Sequence, residues 1–344
     1  MKSLKNNAKM PQISVVIPVY KVGKYIENSM KSVCYQTFRD FEVVLVDNNT
    51  PDDSIEIAVK VLKEGNIDYR VVKQTIQGLP AARNMGIREA NGEWIISIDP
   101  DDTVSSRFLA ELHACATSNG LDIVFSKYAE VDEKTLFVFP EEGKDNAIEL
   151  YDKNDVLQQL LIRRLPLMIS NMFFKKSAFL EKGCWFDESI ILGADLINLW
   201  RILINTERIA FINKCLYNHF FRPDSLMTAP SWKKIESNLM GYEKLRVYVS
   251  ERCNEQMGKW IYGRAIYAFL GTLCIYGDKK MYREYLDKYY SNEVHNILKT
   301  FPDNKIRVLD RVLKISPSLF YYINVTLRSP NSLVWKTISK KVYK

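Results

Sequence analysis

Apolar and polar residues follow one another along the first hundred residues in an order that predicts strands separated by helices. Short apolar runs rich in β-branched residues predict strands at Ile13–Tyr20, Phe41–Val46, Tyr69–Val72 and Trp94–Ile98. Apolar residues at helical spacing predict helices at Lys24–Gln36, Asp53–Leu62 and from Pro80 to about Ala90. This alternation is typical of an α/β fold with a doubly wound, mostly parallel sheet. The continuous apolar strands indicate a sheet that is covered on both faces.

Beyond Asp102 the pattern is less regular. It predicts helices at Phe108–Ser118 and Asp195–Ile204, strands at Ile123–Phe125 and Leu136–Phe139, and a polar surface connection at Glu141–Asp155. From Ser231 onward the chain is mostly helical and rich in aromatic residues. We therefore expect a flexible N-terminus at 1–10, an α/β domain at 11–230 and a C-terminal helical appendage at 231–344.

Composition excludes several classes of protein. The 344 residues are 47% hydrophobic and 26% charged, as in a globular protein with a full core. The six cysteines form no CxxC pair and no apolar signal segment precedes them, so we expect reduced cysteines in a cytoplasmic protein. The longest apolar stretch, Ile261–Gly277, is interrupted by Arg264, so we expect a buried helix there and no membrane span.

The formal net charge is +7, and part of the excess lies at the end of the chain. Residues 310–344 contain seven basic residues and one acidic residue. Such a tail is compatible with nucleic acid, with anionic lipid or with a solvated surface. No nucleic-acid-binding motif accompanies it, so we expect no nucleic-acid partner.

Candidate ligand-binding residues stand where three of the predicted strands end, which is where doubly wound sheets bind ligands. The residues are Pro18-Val19-Tyr20, Asp47 and the cluster Asp99-Pro100-Asp101-Asp102. Neither GxGxxG nor GxxxxGK[ST] is present. A bound diphosphate would then need another counter-charge, and a divalent cation held by carboxylates can supply it. The alternative for the acidic cluster is a helix N-cap or an acidic turn.

Two blocks of sequence resemble the family-2 glycosyltransferases. The first is ISVVIPVYKVGKYIENSMKSVCYQTFRDFEVVLVDNNTPDDS, and the second is GLPAARNMGIREANGEWIISIDPDD. Both stand in the order and at the spacing found in that family, over about residues 12–103. Weaker matches follow in LGADLINLWRIL and YNHFFRPDS, and the resemblance fades after about residue 228.

The resemblance implies a GT-A fold, with a nucleotide-sugar half at 11–103 and an acceptor half at 104–230. It also implies transfer of a sugar, with inversion, from a nucleotide-diphosphate donor, with a divalent metal, Mn²⁺ or Mg²⁺. A UDP-sugar is the expected donor. The residues that the resemblance assigns to donor binding are Pro18, Val19, Tyr20, Asp47, Arg83 and Asp99; it assigns Asp101 and Asp102 to the metal.

Asp195 is the candidate general base, because inverting transfer needs a carboxylate that takes the proton of the acceptor hydroxyl. The alternative is an acidic residue that stabilises a helix N-terminus. The family usually has Glu-Asp here, and this chain has Ala194-Asp195. Two further departures are Lys21 in place of the usual Asn and Asn48 in place of a common second Asp.

The segment near residue 220 carries two further candidates. Arg222 is expected to bind the donor diphosphate, because a guanidinium matches phosphate in geometry. His219 is a candidate metal ligand, with a structural histidine as the alternative. Trp185 is a candidate for stacking on an acceptor sugar or for core packing.

The leading hypothesis is an inverting hexosyl- or N-acetylhexosaminyltransferase that extends a capsule, O-antigen or exopolysaccharide glycan on a lipid-linked acceptor. Its location would be cytoplasmic, with peripheral contact to the inner face of the plasma membrane through 310–344. A nucleotidyltransferase would need a Gly-rich basic loop after the first strand, and PVYKVGKYIE has only Gly23 and Lys24. A non-catalytic scaffold of a glycan assembly complex is the other alternative, suggested by the loss of a carboxylate at Ala194.

Overall fold

The computed structural model describes residues 10–132, 147–190, 193–221, 232–276 and 279–328. The chain divides into two compact units. One comprises Met1–Leu160 with Arg164–Ala229, and the other comprises Leu161–Arg163 with Pro230–Lys344.

The first unit begins with the predicted alternation of strands and helices. Its elements are β1 (Ile13–Val19), α1 (Ile26–Cys34), β2 (Phe41–Asp47), α2 (Ser54–Glu64), β3 (Tyr69–Lys73), α3 (Leu79–Glu89) and β4 (Trp94–Ser97). Every residue of β1 and β4 is buried, as expected of strands covered on both faces.

The remainder of this unit mixes short strands with helices. Its elements are β5 (Thr103–Val104), α4 (Phe108–Ser118), β6 (Ile123–Asp132), β7 (Ile148–Tyr151), α5 (Lys153–Ile162), β8 (Met172–Lys175), α6 (Lys176–Glu181), α7 (Ala194–Ile204) and β9 (Ile209–Phe221). The expected surface connection is wrong for 148–151, which form strand β7 against β9. Three of its four residues are exposed, and Glu149 interrupts its apolar positions, so the strand carries no continuous apolar run. The expected strand at 136–139 lies outside the described residues.

All nine strands described form one mixed sheet, in the order β3-β2-β1-β4-β8-β6-β9-β5, with β7 paired to β9. The first four strands are parallel to one another, and β8 runs antiparallel to β4 and β6. Val19 is paired with Asp47, so the ends of β1 and β2 meet at one edge of the sheet. The residues that follow β4 begin at the same edge, because β4 is parallel to β1.

Helix α3 packs closely on β1 because it carries a glycine where the two elements meet. A Cβ atom at Gly86 would lie 2.2 Å from Cγ1 of Val16 and 3.0 Å from Cγ2 of Val46. This close approach sets the position of α3, which also carries Arg83 and Asn84.

Among its described residues, the regular elements of the second unit are all helices. Its helices are α8 (Trp232–Arg252), α9 (Glu255–Tyr276), α10 (Lys279–Tyr289), α11 (Asn292–Lys299), α12 (Asn304–Ile315) and α13 (Pro317–Arg328). Leu270, Leu273, Phe301 and Phe320 are fully buried in it. Within the described ranges, none of the helices is long and apolar enough to cross a membrane.

Candidate active site

The loop after β2 brings Asp47 next to the end of β1. The Asp47 carboxylate accepts a hydrogen bond from the backbone N–H of Thr50 at 3.0 Å, and the Thr50 hydroxyl accepts one from the backbone N–H of Lys21 at 2.9 Å. Tyr20 is 42% exposed beside this loop. The structure therefore brings Tyr20 and Asp47 together at the edge where a nucleobase is expected.

Val19 and Pro18, which are expected to line the nucleobase pocket together with Tyr20, are both buried. Val19 has no exposed surface and belongs to the hydrophobic core, and Pro18 is also buried. The backbone carbonyl of Val19 accepts a hydrogen bond from the N–H of Asn48 at 3.1 Å. Only Tyr20 of the three residues presents a side chain to solvent, because β1 is covered on both faces and Tyr20 follows its last residue.

Asn48 is a structural residue that connects the end of β2 to the segment before α3. Its Nδ2 donates to the carbonyls of Ile76 at 2.7 Å and Gln74 at 3.3 Å. Its Oδ1 accepts from the N–H of Gly78 at 2.8 Å and from Gln77 at 3.4 Å. An aspartate cannot make the two donations while ionised, which is a physical reason for an amide at this position.

Asp52 is a further anchor of this loop that the sequence reasoning did not single out. Its carboxylate accepts hydrogen bonds from the hydroxyls of Thr50 and Ser54, both at 2.6 Å, and from the N–H of Gly23 at 3.1 Å. Burial acts to raise the pKa of Asp52, but these hydrogen bonds outweigh it and the pKa is lowered. The ionised carboxylate therefore ties the segment after β1 to the start of α2.

The acidic cluster after β4 is divided between the interior and the surface. Asp102 is only 1% exposed, and its two oxygens accept hydrogen bonds from the Tyr217 hydroxyl at 2.6 Å and the Phe220 N–H at 2.9 Å. Burial raises its pKa well above the usual value, and the charges of Asp101 and Asp99 raise it further. Asp99 and Asp101 are partly exposed. The cluster therefore carries excess negative charge toward the edge of the sheet.

The expected metal ligands Asp101, Asp102 and His219 do not form one cluster. Among the residues that the structure describes, no three His, Cys, Asp or Glu side chains are placed to hold a metal ion. Asp102 directs both oxygens toward β9, and the His219 ring packs edge-on against Tyr128. A cation at this edge would therefore take one or two carboxylates from the protein and its other ligands from elsewhere, as Mg²⁺ does on substrate phosphates.

Arg83, the residue expected to contact donor phosphate or ribose, lies inside the protein and bonds two carboxylates. Its side chain is 1% exposed, and its guanidinium bonds Asp99 at 2.7 Å and also Asp195. Nε lies 3.4 Å from the Ser97 hydroxyl, and the guanidinium lies 5.8 Å from the centre of the Phe186 ring. Burial acts to lower the pKa of Arg83, but Asp195 and Asp99 raise it above its usual value.

Asp195 stands in the first turn of α7 and has 40% of its side chain exposed. The residue before it, Ala194, is buried. Asn84, next to Arg83 in α3, exchanges hydrogen bonds with the N–H and carbonyl of Phe186 at 2.9 and 3.0 Å and donates to Glu188 at 2.9 Å. Helix α3 thus holds both Asp195 and the segment 186–188 that precedes α7 in the chain.

Two further residues of this edge were not identified as functional from the sequence. Tyr217 and Asn84 lie within the matched or neighbouring segments, but their partners are 115 and 102 residues away in the chain. The signal available in the sequence was the position of these two polar residues among apolar neighbours, which indicates buried hydrogen-bonding groups. Arg222 lies outside the described residues.

Two cavities lie away from this edge. The larger, about 480 Å³, is lined by residues such as Gln12, Trp94 and Arg208 near the amino ends of β1, β4 and β9. Neither of these two cavities is lined by the carboxylates of the site described above.

Comparisons with known proteins agree with this geometry. The family described as glycosyl transferase family 2 matches residues 14–181. GlyG of Streptococcus pneumoniae serotype 4, a glycosyltransferase, is 31% identical over 227 residues, which are 62% of this chain and 72% of GlyG. EpsJ of Bacillus subtilis, an uncharacterized glycosyltransferase, is 27% identical over 272 residues, which are 77% of this chain and 79% of EpsJ.

Solved structures show a similar fold. The structure of S. aureus TarS residues 1–349 in complex with UDP-GlcNAc matches with a TM-score of 0.68 at 17% identity, covering 92% of this chain and 91% of that one. The mixed sheet, the carboxylates at its edge and these likenesses lead to one conclusion. The chain belongs to glycosyl transferase family 2 and is a glycosyltransferase with the GT-A fold.

Proposed function

We propose that this enzyme moves a sugar from a nucleotide-diphosphate donor, a UDP-sugar, to a hydroxyl of a surface glycan, with inversion and with a divalent metal. The observation that carries the proposal is the pairing of Asp99, at the end of β4, with Asp195, at the start of α7, through one buried arginine. A donor-side carboxylate and an acceptor-side carboxylate are thereby held at one site.

Asp195 is the residue suited to act as the base. It is exposed enough to meet an acceptor, and it lies in the first turn of α7. In the reaction the acceptor oxygen forms a bond to the anomeric carbon while the bond from that carbon to the diphosphate oxygen breaks. Asp195 would accept the hydroxyl proton as the new bond forms.

Asp99 and Asp101 are the residues that would hold a divalent cation together with the donor diphosphate. Oxygen ligands of this type suit Mn²⁺ and Mg²⁺, and the excess negative charge of the cluster would be neutralised by the ion. A cation bound there supplies positive charge that stabilises the leaving diphosphate.

Names of relatives support the choice of donor and product. TarS of Staphylococcus aureus is a poly(ribitol-phosphate) β-N-acetylglucosaminyltransferase, and its structures hold UDP-GlcNAc or UDP. GgaB of Bacillus subtilis is a minor teichoic acid biosynthesis protein. A UDP-hexose or UDP-N-acetylhexosamine and a cell-surface glycan are therefore the substrates to test first.

A panel of nucleotide-sugars with Mn²⁺ or Mg²⁺ tests the donor and the metal. We expect a UDP-sugar to raise the thermal unfolding midpoint in the presence of the metal and to be hydrolysed slowly. Asp101→Ala should abolish the metal-dependent part of the shift, whereas Asp68→Ala, at an exposed position before β3, should leave it unchanged. Equal protection of the parent and Asp101→Ala would contradict the metal assignment.

Replacement of the base tests the chemistry. Asp195→Asn should keep donor protection and lower sugar transfer by roughly 10²–10⁴-fold, the contribution of a positioned base. Asp187→Asn, in the exposed segment before α7, is the control. Near-normal transfer by Asp195→Asn would assign the role to another carboxylate, with Asp187 and Glu188 as the next candidates.

We also propose that the acceptor is lipid-linked and that the end of the chain contacts an anionic membrane. Ile315, Leu319 and Tyr322 are 84%, 50% and 54% exposed around the junction of α12 and α13. Arg311 and Lys314 are exposed on α12 beside them. Residues 329–344, which include four of the seven basic residues of the tail, lie outside the described ranges. Exposed apolar side chains next to cations match an anionic lipid surface.

Vesicle sedimentation tests this contact. The chain should pellet with anionic vesicles at low salt and be released at high salt. The double variant Ile315→Ser/Leu319→Ser should pellet less, while Met240→Ser/Val247→Ser, which alters exposed apolar residues of α8, should pellet like the parent. Sedimentation that is unaffected by the first pair would refute a role for this surface.

A further inference from the structure

We infer that Arg83 is a positioning residue, which holds the Asp195 carboxylate in the orientation needed for proton transfer and fixes it relative to Asp99. This inference rests on the proposed function, because it assigns to Asp195 the role of base. It differs from the expected role of Arg83, which was direct contact with the donor.

Each of the three nitrogens of the Arg83 guanidinium has a partner within the protein. Its two terminal nitrogens bond Asp99 and Asp195, and Nε lies near the hydroxyl of Ser97. Phe186 lies against the guanidinium. With a side chain only 1% exposed, Arg83 could reach a donor phosphate only by breaking both ion pairs. Removing a partner from a buried ion pair is strongly unfavourable.

The contact with Arg83 leaves the Asp195 carboxylate able to react. Arg83 bonds Oδ1 of Asp195, and within the part of the chain that the structure describes no other donor contacts this carboxylate. The side chain is 40% exposed. One oxygen is therefore held in place, while the other is left for the acceptor hydroxyl.

Arg83 is suited by its chemistry to bridge two carboxylates. A guanidinium is planar and presents its donors in a fixed fork, whereas the ammonium of lysine is a single point charge. Because both carboxylates are bonded to one rigid group, the donor-side and acceptor-side carboxylates keep a fixed separation before substrates bind. Positioning of reacting groups in advance is a major source of rate enhancement.

Helix α3, which carries Arg83, is itself held firmly in place. Arg83 lies on α3, which Gly86 allows to pack directly on β1. The next residue, Asn84, holds the backbone of Phe186 through two hydrogen bonds. The arginine is thus fixed at its base by the sheet and at its tip by two carboxylates.

The test measures release of UDP from a UDP-sugar in Mn²⁺, with water as the acceptor, because water also needs a base. Arg83→Ala should lower kcat by roughly 10²-fold, as expected when a base is mispositioned, and should change the donor KM by a smaller factor, through its contact with Asp99. Guanidinium chloride at millimolar concentration should restore part of the lost rate. Arg88→Ala, which alters an exposed arginine of the same helix, is the control and should keep the parent rate.

A double-mutant cycle separates positioning from donor contact. If Arg83 acts through Asp195, Arg83→Ala in the Asp195→Asn background should cause no further loss of rate. A raised donor KM with unchanged kcat, or losses that multiply in the double variant, would overturn the inference and return Arg83 to donor binding.

Arg83→Lys decides the matter if Arg83→Ala does not fold. The lysine variant keeps a positive charge but cannot bridge both carboxylates, so kcat should still fall in protein that a thermal unfolding scan shows to be folded. A lysine variant with full kcat would overturn the inference. If the parent itself releases no nucleoside diphosphate from any nucleotide-sugar, it is the proposed function that fails.

Discussion

Substitution of Asn48 by aspartate would restore the residue that is common in the resembling family, and we expect it to destabilise this protein. Asn48 is 2% exposed and makes four hydrogen bonds to the segment 74–78. An ionised aspartate keeps the two acceptor contacts with Gly78 and Gln77. It loses the two donations to the carbonyls of Gln74 and Ile76 and brings a charged oxygen toward them.

The magnitude follows from the contacts. Two lost hydrogen bonds correspond to about 2 kcal/mol in the free energy of unfolding, and a buried carbonyl left unpaired adds about 1–3 kcal/mol. We therefore expect a loss of about 3–5 kcal/mol near pH 8. Burial and the facing carbonyls raise the pKa of the introduced carboxyl above about 3.9, its value in the unfolded chain. The loss should accordingly be smallest below about pH 4 and grow as the pH rises through the folded-state pKa.

A suitable assay is hydrogen exchange of the β2 peptide, 41–47, across a urea series, because it reports on the first unit alone. Asn49→Asp is the matched control, since Asn49 is exposed and makes one hydrogen bond, to the carbonyl of Thr75 at 3.1 Å. That control should change the free energy of unfolding by less than about 0.5 kcal/mol. If the two variants are equally stable at pH 8, the reasoning about Asn48 is wrong.

Three further predictions concern the same unit. Gly86→Ala should destabilise it by about 1–3 kcal/mol in urea unfolding, because the added methyl would overlap Val16; an unchanged midpoint would contradict the close packing of α3. Tyr217→Phe should cost about 1.5–3 kcal/mol through the loss of the hydrogen bond to buried Asp102, and a stability equal to the parent would count against that bond. Asn84→Ala should lower kcat for UDP release more than it changes donor affinity, because it releases the segment before α7; a change confined to donor KM would argue against this.

Local patterns were sufficient to predict the elements that carry the site. The strands β1 to β4 and the helices between them are within a few residues of their predicted bounds, because continuous apolar runs and helical spacing are local properties of the sequence. The polar residues that follow these strands could also be placed at one edge of a parallel sheet. Strand β7 was missed because it has only four residues and Glu149 interrupts its apolar positions.

The motifs further identified which residues surround the site, but they did not give the orientation of the side chains. Asp47 and Tyr20 lie at the expected edge, next to each other. Val19 and Arg83 lie at the same edge and yet face the interior. A motif gives the position of a residue along the chain, whereas exposure depends on what packs over it.

The tertiary structure alone decided which carboxylates are available for chemistry. Arg83 meets Asp195 across 112 residues of chain, and Tyr217 meets Asp102 across 115. These contacts bury the guanidinium and turn Asp102 inward, while Asp99 and Asp195 keep part of their surface. Because a buried charge is stable only when a partner neutralises it, the fold must bring distant residues together before the role of each charge is settled.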